Sequence, residues 1–328
     1  MRVLVTGGAG YIGSNTAREL ARRGHEVELL DDLSRGHEAA AVALGLPLHR
    51  LSLRDAGAVR AFVAERDLGA VVHFAAYALV AESFARPLDY WRNNLGGTLA
   101  LLEALVARAA PVRFIFSSTC AVYGVPERVP IPESHPTRPI NPYGWTKLAA
   151  ESAIADAARA HGIGAVALRY FNAAGASDDR VLGEDHDPET HLIPLVLRAA
   201  RDGTPVTIHG TDYDTPDGTC IRDYIHVADL ARAHALALER AVPGEAKVFN
   251  IGTGRGASVR EVIEVARRVT GRPIEARVGP RRPGDPPSLV ADGRSARAGL
   301  GFVAERELAE MVESAWAFQS PRPGGRKP

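Results

Sequence analysis

The 328-residue sequence predicts an α/β fold, a doubly wound parallel sheet of the Rossmann type with a smaller, interleaved C-terminal domain. Short apolar segments alternate with helical segments through the first half of the chain, which is typical of a parallel sheet covered on both faces. A glycine-rich turn joins the first strand to the first helix. The chain is too long for one compact core, which favours two domains.

The first strand, Arg2–Thr6, is followed by the sequence GGAGYIG and by a helix predicted at Ser14–Arg23. Gly7 allows a tight turn, Gly10 lets the backbone approach a pyrophosphate, and Gly13 lets the helix pack closely on the strand. The amides at the helix N-terminus then face the phosphates. An ordinary strand–helix turn is the alternative, and a glycine triplet alone would not exclude it.

An acidic pair follows the second predicted strand, Glu26–Leu30, about 20 residues beyond the glycines. A carboxylate at this place accepts hydrogen bonds from the ribose 2′-OH of a dinucleotide and repels a 2′-phosphate. We therefore predict NAD rather than NADP as the cofactor, with Asp31 as the ribose ligand. Asp32 is predicted only to cap the following turn.

The alternation continues along the chain, and each element is assigned from its apolar pattern. Further strands are predicted at Leu48–Leu51, Ala70–Phe74, Val112–Ser117 and Ala165–Tyr170, and helices at Ala56–Glu65, Leu88–Arg108 and Tyr143–Ala160. Ligands of such sheets bind beyond the carboxyl ends of the strands. Besides the glycines and Asp31, those ends carry Phe74-Ala75-Ala76, Ser117-Ser118-Thr119 and Tyr170-Phe171-Asn172. Five segments are thus expected to converge on one edge of the sheet.

A possible acid/base pair opens the helix at Tyr143. Tyr143 and Lys147 are four residues apart, which places their Cβ atoms about 5–6 Å from each other on one helix face. An ammonium beside a phenol stabilises the phenolate, so the pair can take a proton from a substrate hydroxyl and return it. Taken alone, a core tyrosine beside a solvated lysine explains the pattern equally well. The hydroxyls of Ser117, Ser118 and Thr119 could relay the proton, or could simply satisfy a turn.

Together these segments resemble the extended short-chain dehydrogenase/reductases, over essentially the whole chain before its C-terminal tail. The matching segments are Thr6–Gly13, His73–Ala76, Asn93-Asn94, Ser117–Thr119, Tyr123-Gly124, Tyr143 with Lys147, Arg169–Asn172, Arg222–Val227 and Arg281–Asp285. Within that family the motifs are similar to those of members that invert C4 of a UDP-hexose.

The resemblance implies an enzyme that keeps NAD bound while a proton and a hydride leave the sugar C4 and hydride returns to the opposite face. Tyr143 would be the base, Lys147 would hold the ribose and lower the pKa of Tyr143, and Thr119 would stand in the place of the catalytic Ser or Thr. The residues implied for the cofactor are Gly7, Gly10, Tyr11, Ile12, Gly13, Asp31, Leu53, Phe74, Ala75, Ala76, Asn93, Ser117, Tyr143, Lys147 and Tyr170. Those implied for the UDP-hexose are Thr119, Tyr143, Asn172, Leu192, Arg222, Arg282, Asp285 and Leu289.

Three positions depart from the family pattern. Ser52 stands where an acidic residue often contacts the adenine end, and Ala78 stands where some members have a lysine. Leu289 stands where some members have a large aromatic residue, and a smaller side chain could admit an N-acetyl group. UDP-GlcNAc or UDP-GalNAc is therefore an alternative substrate, and UDP-glucuronate is another. Cys120-Ala121 follows Thr119 where related dehydratases carry Asp-Glu, which argues against elimination of water. A regulator that binds NAD without catalysis is the alternative of another class, and it predicts a broken Tyr–Lys pair.

The second half of the chain is predicted to be rich in loops. The segment Gly183–His191 contains several metal-ligating side chains, but its spacing matches no common motif and no HExxH is present. We interpret it as a surface loop before a helix at His191–Arg201 and predict no metal. A strand at Asp223–Val227 and a helix at Ala228–Arg240 are expected to rejoin the first domain.

The predicted domains are residues 1–172 with 220–251 for NAD, and 173–219 with 252–320 for the UDP-sugar, followed by a tail at 321–328. The family resemblance implies a homodimer formed through the two helices near Leu88–Arg108 and Tyr143–Ala160. Acidic and basic residues balance at 39 each, which gives no broad attraction to nucleic acid or anionic membranes.

The expected location is the cytoplasm. Cys120 and Cys220 do not indicate a disulfide framework, and a reducing compartment is consistent with two cysteines. The first residues are predicted to form a strand rather than a signal peptide. No apolar run approaches the ~20 residues that span a bilayer.

Overall fold

The structure is a computed structural model, and it describes residues 1–282 and 284–320. Its strands are β1 Arg2–Thr6, β2 Glu26–Asp31, β3 Leu48–Arg50, β4 Ala70–His73, β5 Arg113–Thr119, β6 Gly164–Tyr170, β7 Asn172–Ala174, β8 Val206–His209, β9 Ile221–His226, β10 Ala246–Ile251, β11 Gly256–Ser258, β12 Ala276–Gly279 and β13 Ser288–Leu289. Its α-helices are α1 Tyr11–Arg22, α2 Glu38–Leu44, α3 Ala56–Ala64, α4 Val80–Ala85, α5 Pro87–Tyr90, α6 Gly97–Ala107, α7 Pro142–His161, α8 Leu192–Asp202, α9 Val227–Arg240, α10 Val259–Thr270, α11 Arg294–Leu300 and α12 Leu308–Gln319. The predicted tail at 321–328 lies outside the described residues.

A seven-stranded sheet forms the larger part of the molecule, with the order β10-β6-β5-β4-β1-β2-β3. Every pair of neighbouring strands in it is parallel. The strand order reverses between β1 and β4, which creates a crevice at their carboxyl ends, where ligands of this architecture bind. The predicted doubly wound fold is confirmed.

The large sheet is buried on both faces. Successive side chains of a strand point to opposite faces, and apolar side chains occur on both. In β1, Val3 and Val5 pack with Leu20 of α1 and Leu230 of α9 in one core. Leu4, between them, points to the other face and packs in a second core with residues of α3, α6 and α7. Helices therefore cover both faces of the sheet and hold its strands in place relative to one another.

A smaller region is built from a sheet in which β9 pairs with β7, β11 and β13, and from the pair β8–β12. Helices α8, α10 and α12 enclose its separate core. The backbone of β9 pairs within this smaller sheet, while its Ile225 packs in the core of the large sheet. The predicted domain boundaries stay predictions.

The polypeptide crosses back to the large sheet after β9. Helix α9 packs on the face of the sheet that carries α1, and β10 extends the sheet beside β6. Ala296 and Leu300 of α11 also belong to that core, although the sequence assigned them to the other domain. Among the described residues, no helix has both the length and the apolar character that a membrane crossing requires.

The helix predicted at Leu88–Arg108 contains a π-helical turn at Trp91–Gly96 between α5 and α6. The side chain of Asn94 is buried in this turn and receives a hydrogen bond from the Tyr77 amide at 2.8 Å. Its amide nitrogen donates to the Tyr77 carbonyl at 3.0 Å and to Thr146 Oγ1 at 3.1 Å. Turns of this kind are frequent at functional sites, and this one ties the segment after β4 to α7.

A buried ion pair fixes α7 against the sheet. Glu151 of α7 and Arg169 of β6 are both buried, with Arg169 Nη2 at 2.6 Å from Glu151 Oε2 and Nε at 3.0 Å from Oε1. Ser118 Oγ also donates to Glu151, and Arg169 Nη1 donates to the Tyr123 hydroxyl at 3.0 Å. Tyr123 in turn donates to Asn250 of β10 at 2.7 Å. This network locks α7 to three neighbouring strands.

We predict that Arg169→Met lowers the free energy of unfolding by about 3–5 kcal/mol, because it leaves the Glu151 carboxylate buried without a counter-ion. Urea denaturation measures the loss. Adding Glu151→Gln removes the charge but keeps an acceptor for Ser118, so the double variant is expected to recover more than half of it. A double variant no more stable than Arg169→Met would contradict this account.

Candidate active site

The glycine loop between β1 and α1 lies close against the backbone that follows β4. Gly7 has a φ of 69°, and a Cβ on it would lie 2.7 Å from the Ala75 amide nitrogen. A Cβ on Gly13 would lie 2.1 Å from the Gly7 carbonyl oxygen. Gly10 is the N-cap of α1 and has no side-chain cap, so the first amides of the helix remain available to an anion. This cradle fits a pyrophosphate, as the spacing predicts.

Asp31 ends β2 next to the loop, and it is buried. Its carboxylate accepts hydrogen bonds from the Ala9 amide at 3.0 Å and the Leu33 amide at 2.9 Å. Burial raises the pKa of Asp31, while these two hydrogen bonds act in the opposite direction. Asp32 accepts from the Ser34 amide at 2.9 Å and from Ser52 at 3.0 Å, which matches its predicted role in the turn.

The other cofactor candidates surround this crevice, with one exception. Tyr11 donates its hydroxyl to the Gly175 carbonyl at 2.6 Å, and Ile12 packs on the core beneath α1. The ring of Phe74 contacts His234, with centroids 4.7 Å apart. Asn93 lies on the π-helical turn and donates to Asn94 at 3.2 Å. The predicted contacts of Ala76 stay predictions.

Leu53 is the exception among these candidates. Its side chain is buried in the core beneath α3 and α6 and lies against Gly97. A Cβ on Gly97 would come within 3.0 Å of the Leu53 Cβ. Because that side chain is committed to the core, only the main chain of Leu53 is left to face a cofactor.

The start of α7 presents Tyr143 and Lys147 to the end of β5. Asn141 caps the helix by accepting a hydrogen bond from the Gly144 amide at 2.8 Å, and Pro142 is its first residue. Tyr143 is therefore inside the helix and shares a face with Lys147, as the predicted geometry requires. Lys147 Nζ donates to the Ser117 carbonyl at 2.7 Å, and both side chains are buried.

Thr119 and Ser117 complete the arrangement at the end of β5. Thr119 lies near the Tyr143 hydroxyl, whose pKa it lowers, and its side chain accepts a hydrogen bond from the Ala121 amide at 3.1 Å. Ser117 Oγ lies 2.6 Å from the Tyr170 hydroxyl. Ser118, by contrast, is directed away from this group and toward Glu151, so its hydroxyl serves the helix–sheet junction.

The pKa values differ from the prediction. Burial, followed by the neighbouring Tyr170, raises the pKa of the Tyr143 hydroxyl well above its usual value, and the side chain of Thr119 counteracts this. The predicted lowering by Lys147 is not among the main effects on the Tyr143 pKa, and the Lys147 Nζ atom is directed to the Ser117 carbonyl. Burial lowers the pKa of Lys147 to about 7, although Glu151 opposes that change.

Two of the UDP-sugar candidates meet directly. Arg222 Nη2 donates to Asp285 Oδ1 at 2.8 Å, which joins β9 to the loop before β13. Burial raises the pKa of the Cys120 thiol to about 12, and the nearby Arg222 guanidinium opposes this. Because Cys120 follows Thr119, Arg222 lies close to the catalytic candidates.

The other UDP-sugar candidates lie on β7, α8, β13 and the loop that carries Asp285. Leu289 packs with Cys120 and Phe171 in a small apolar cluster. Asn172 begins β7, Leu192 begins α8, and Arg282 is exposed on the loop that carries Asp285. The predicted contacts of these three residues with a ligand stay predictions.

The sequence reasoning missed the roles of Glu151 and Asn94 in supporting this site. Glu151 is four residues beyond Lys147 on α7, and it acts on the charge of that lysine. The spacing from Tyr143 through Lys147 to Glu151 was a signal, since residues four apart share a helix face. Asn94 gave no signal beyond its resemblance to a family motif.

Comparison with known proteins identifies the family of this chain. Residues 3–252 match the model of the NAD dependent epimerase/dehydratase family. The chain is 50% identical to a UDP-glucose 4-epimerase of Streptomyces lividans over 327 residues, which is 99% of this chain and 98% of that protein.

Solved structures give the same result. The chain is 48% identical to the UDP-glucose 4-epimerase of Brucella ovis in complex with NAD, with a TM-score of 0.91 and coverage of 96% of this chain and 97% of that chain. It is 38% identical to that of Bifidobacterium longum in complex with NAD⁺ and UDP, again with a TM-score of 0.91 and coverage of 97% and 98%. The family resemblance of the sequence is confirmed, and the chain belongs to the NAD-dependent epimerase/dehydratase family.

Proposed function

We propose that this chain is an NAD-dependent 4-epimerase that interconverts UDP-glucose and UDP-galactose through a transient 4-keto sugar. The observation that carries the proposal is the meeting of Tyr143, Lys147 and Thr119 at the carboxyl end of the sheet, beside the glycine loop. The relatives that share this architecture at 38–50% identity are named UDP-glucose 4-epimerases.

Tyr143 is the proposed base for the sugar 4-OH. Thr119 lies near the Tyr143 hydroxyl and is proposed to orient the sugar 4-OH toward it. Bound NAD would accept hydride from C4 of the sugar and return it. The residues proposed to hold NAD are the glycine loop, Asp31 and the strand-end residues named above. Burial alone would leave Tyr143 a poor base, so it needs a nearby positive charge to favour its phenolate. Among the candidate residues, Lys147 is placed to supply part of that positive charge.

Arg222 and Asp285 are the proposed handle for the UDP part of the substrate. Guanidinium groups bind phosphate oxygens through directed hydrogen bonds, and Arg222 has a fixed position because Asp285 holds it. Arg282, Asn172 and Leu192 are proposed to complete the nucleotide contacts. Leu289, which packs beside Cys120, is proposed to border the sugar.

Elimination of water from the sugar is disfavoured by the residues that follow Thr119. Ala121 has no titratable group, and the Cys120 thiol, with its pKa raised to about 12, stays protonated at neutral pH. Neither can do the acid/base work of an elimination. A regulator without catalysis is disfavoured as well, because the Tyr–Lys pair is intact and buried.

A homodimer through α5–α6 and α7 remains part of the proposal. Phe84, Leu88 and Trp145 are apolar and lie on α4, α5 and α7 with exposed fractions of 55%, 65% and 47%. Adjacent exposed apolar side chains of this kind mark a surface that binds another protein. The predicted cytoplasmic location also stays a proposal, supported by two cysteines that are both free and buried.

Tyr143→Phe is expected to lower kcat for UDP-galactose at least 10³-fold, because the variant has no group to take the proton from the 4-OH. Conversion to UDP-glucose is followed without added NAD, and bound NAD is measured after denaturation. The variant should retain NAD at wild-type occupancy. If the Tyr143→Phe variant turned over UDP-galactose about as fast as the wild type, Tyr143 would be ruled out as the base. If the wild type held NAD but showed no turnover, the proposed epimerase activity would be ruled out.

Lys147 should make the stability of the nucleotide-free protein depend on pH. With its pKa lowered to about 7 by burial, the folded state binds fewer protons than the unfolded state between pH 7 and about 10. Stability should therefore rise with pH in that window, and this rise should be absent in Lys147→Met. Urea denaturation at pH 7, 8 and 9 measures it, with the exposed Lys247→Met as the matched control. Parallel curves for wild type and Lys147→Met would contradict the lowered pKa.

Leu289 tests the alternative substrate class. A leucine leaves more room beside the sugar than a tyrosine, so the wild type is expected to interconvert UDP-GlcNAc and UDP-GalNAc as well. Leu289→Tyr should lower kcat/KM for the N-acetylated sugars at least tenfold, or about 1.4 kcal/mol, and change that for UDP-galactose much less. Leu289→Met, which conserves volume, is the control. A wild type inactive on N-acetylated sugars would exclude this specificity.

A further inference from the structure

The loop between β7 and α8 brings four metal-ligating side chains to one point. They are Glu184, His186, Glu189 and His191, each of which offers one nitrogen or oxygen atom. These four atoms all lie within 4.8 Å of one another. The sequence spacing E-x-H-x-x-E-x-H matches no common metal motif, which is why the sequence analysis favoured an ordinary surface loop.

The distances within this cluster are those of atoms that share a ligand. Glu184 Oε1 is 3.4 Å from His186 Nδ1, and His186 Nδ1 is 3.6 Å from Glu189 Oε2. His191 Nδ1 is in direct contact with Glu184 Oε1. Zinc binds nitrogen and oxygen at about 2.0–2.2 Å in tetrahedral sites, so its ligand atoms are about 3.3–3.5 Å apart. To share such a centre, Glu184 Oε1 and His191 Nδ1 would have to move apart, and the more distant atoms would have to move inward.

The carboxylates of the cluster are buried and the imidazoles are partly exposed. The side-chain exposures are 6% for Glu184 and 2% for Glu189, against 31% for His186 and 46% for His191. The Nδ1 atom of His186 is itself buried and makes no hydrogen bond among the described residues, although it lies at ion-pair distance from both carboxylates. Two buried carboxylates need a counter-charge. The two imidazoles supply it when they are protonated, and a cation at the common centre would replace those protons.

The surrounding contacts orient the ligands. Glu189 Oε1 accepts hydrogen bonds from the amides of Thr190 and His191 at 2.7 and 2.8 Å, which leaves Oε2 directed at His186. His37, just before α2, contacts the Asp185 carbonyl through Nε2 at 2.8 Å. Contacts of this kind outside the ligand set are what hold metal ligands in place.

We propose that Glu184, His186, Glu189 and His191 bind one Zn²⁺ ion. Two imidazoles among the four ligands favour Zn²⁺ over Mg²⁺ and Ca²⁺, which prefer sites made of oxygen alone. Four protein ligands leave no open position, so the site is structural and the ion takes no part in chemistry.

The ion would stabilise a loop that contacts the glycine loop at one end and leads into α8 at the other. The carboxylates of Glu184 and Glu189 act electrostatically on Tyr11 of the glycine loop. Tyr11 itself donates to Gly175 at the start of the same loop. His191, at the other end, is the N-cap of α8, directly before Leu192. A metal ion here would therefore stabilise the fold next to Tyr11, a residue proposed for NAD, and next to Leu192, a residue proposed for the UDP-sugar, whichever sugar the enzyme uses.

The test uses the full chain, stripped with a chelator, dialysed, and then given Zn²⁺ alone. Elemental analysis after a second dialysis should find about one zinc per chain, and the melting temperature should rise by roughly 2–6 °C. Mg²⁺ at the same concentration should do neither. Co²⁺ should give the intense visible absorption of a tetrahedral site.

His186→Asn and Glu189→Gln should lose the retained zinc and the rise in melting temperature, while His161→Asn, an exposed histidine outside the cluster, should keep both. The melting temperatures of the chelated variants, compared with that of the chelated wild type, show whether each variant is folded. Zinc retained equally by all variants, or by none of the proteins including the wild type, would overturn the proposal. These readouts do not depend on epimerase activity, so their failure leaves the proposed function untouched.

Discussion

The site depends on the way α7 is held against the sheet. The roles proposed for Tyr143 and Lys147 require that α7 lie at one height and one rotation relative to the end of β5, and apolar packing alone does not fix either. The buried pair of Glu151 and Arg169 does so, because its hydrogen bonds have directions that apolar packing lacks. Glu151 is one turn beyond Lys147, so the residue that fixes the helix also influences the charge of the lysine.

Burial has opposite consequences for the two members of the Tyr–Lys pair. Removal from water disfavours the charged form of each, which raises the pKa of Tyr143 and lowers that of Lys147. Both groups are therefore shifted toward neutrality in the protein alone. In the proposed mechanism, Tyr143 can lose its proton only when a positive charge lies nearby. The proton transfer would therefore depend on the bound cofactor.

The fold could be predicted from the sequence because its signals are local, and the same signals point to the residues of the proposed site. Strand–glycine–helix at Gly7–Gly13, the acid after β2, and four-residue spacing on α7 all depend on neighbouring residues. The pairing of β9 with the smaller sheet could not be predicted in this way, because long-range packing decides which strands pair. The cluster at Glu184–His191 was missed for a related reason, since a loop can bring together side chains whose spacing fits no periodic element.

The order of strands along the chain has a consequence for synthesis. Six of the seven strands of the large sheet lie within the first 170 residues, and only the edge strand β10 comes later. A chain emerging from the ribosome can therefore assemble most of the cofactor half before the substrate half exists. One face of that early sheet is covered by α1 but not yet by α9, so Val5, Val72 and Ile115 stay partly open to water until residues 227–240 arrive. During that interval this face is the apolar surface on which chaperones would be expected to act.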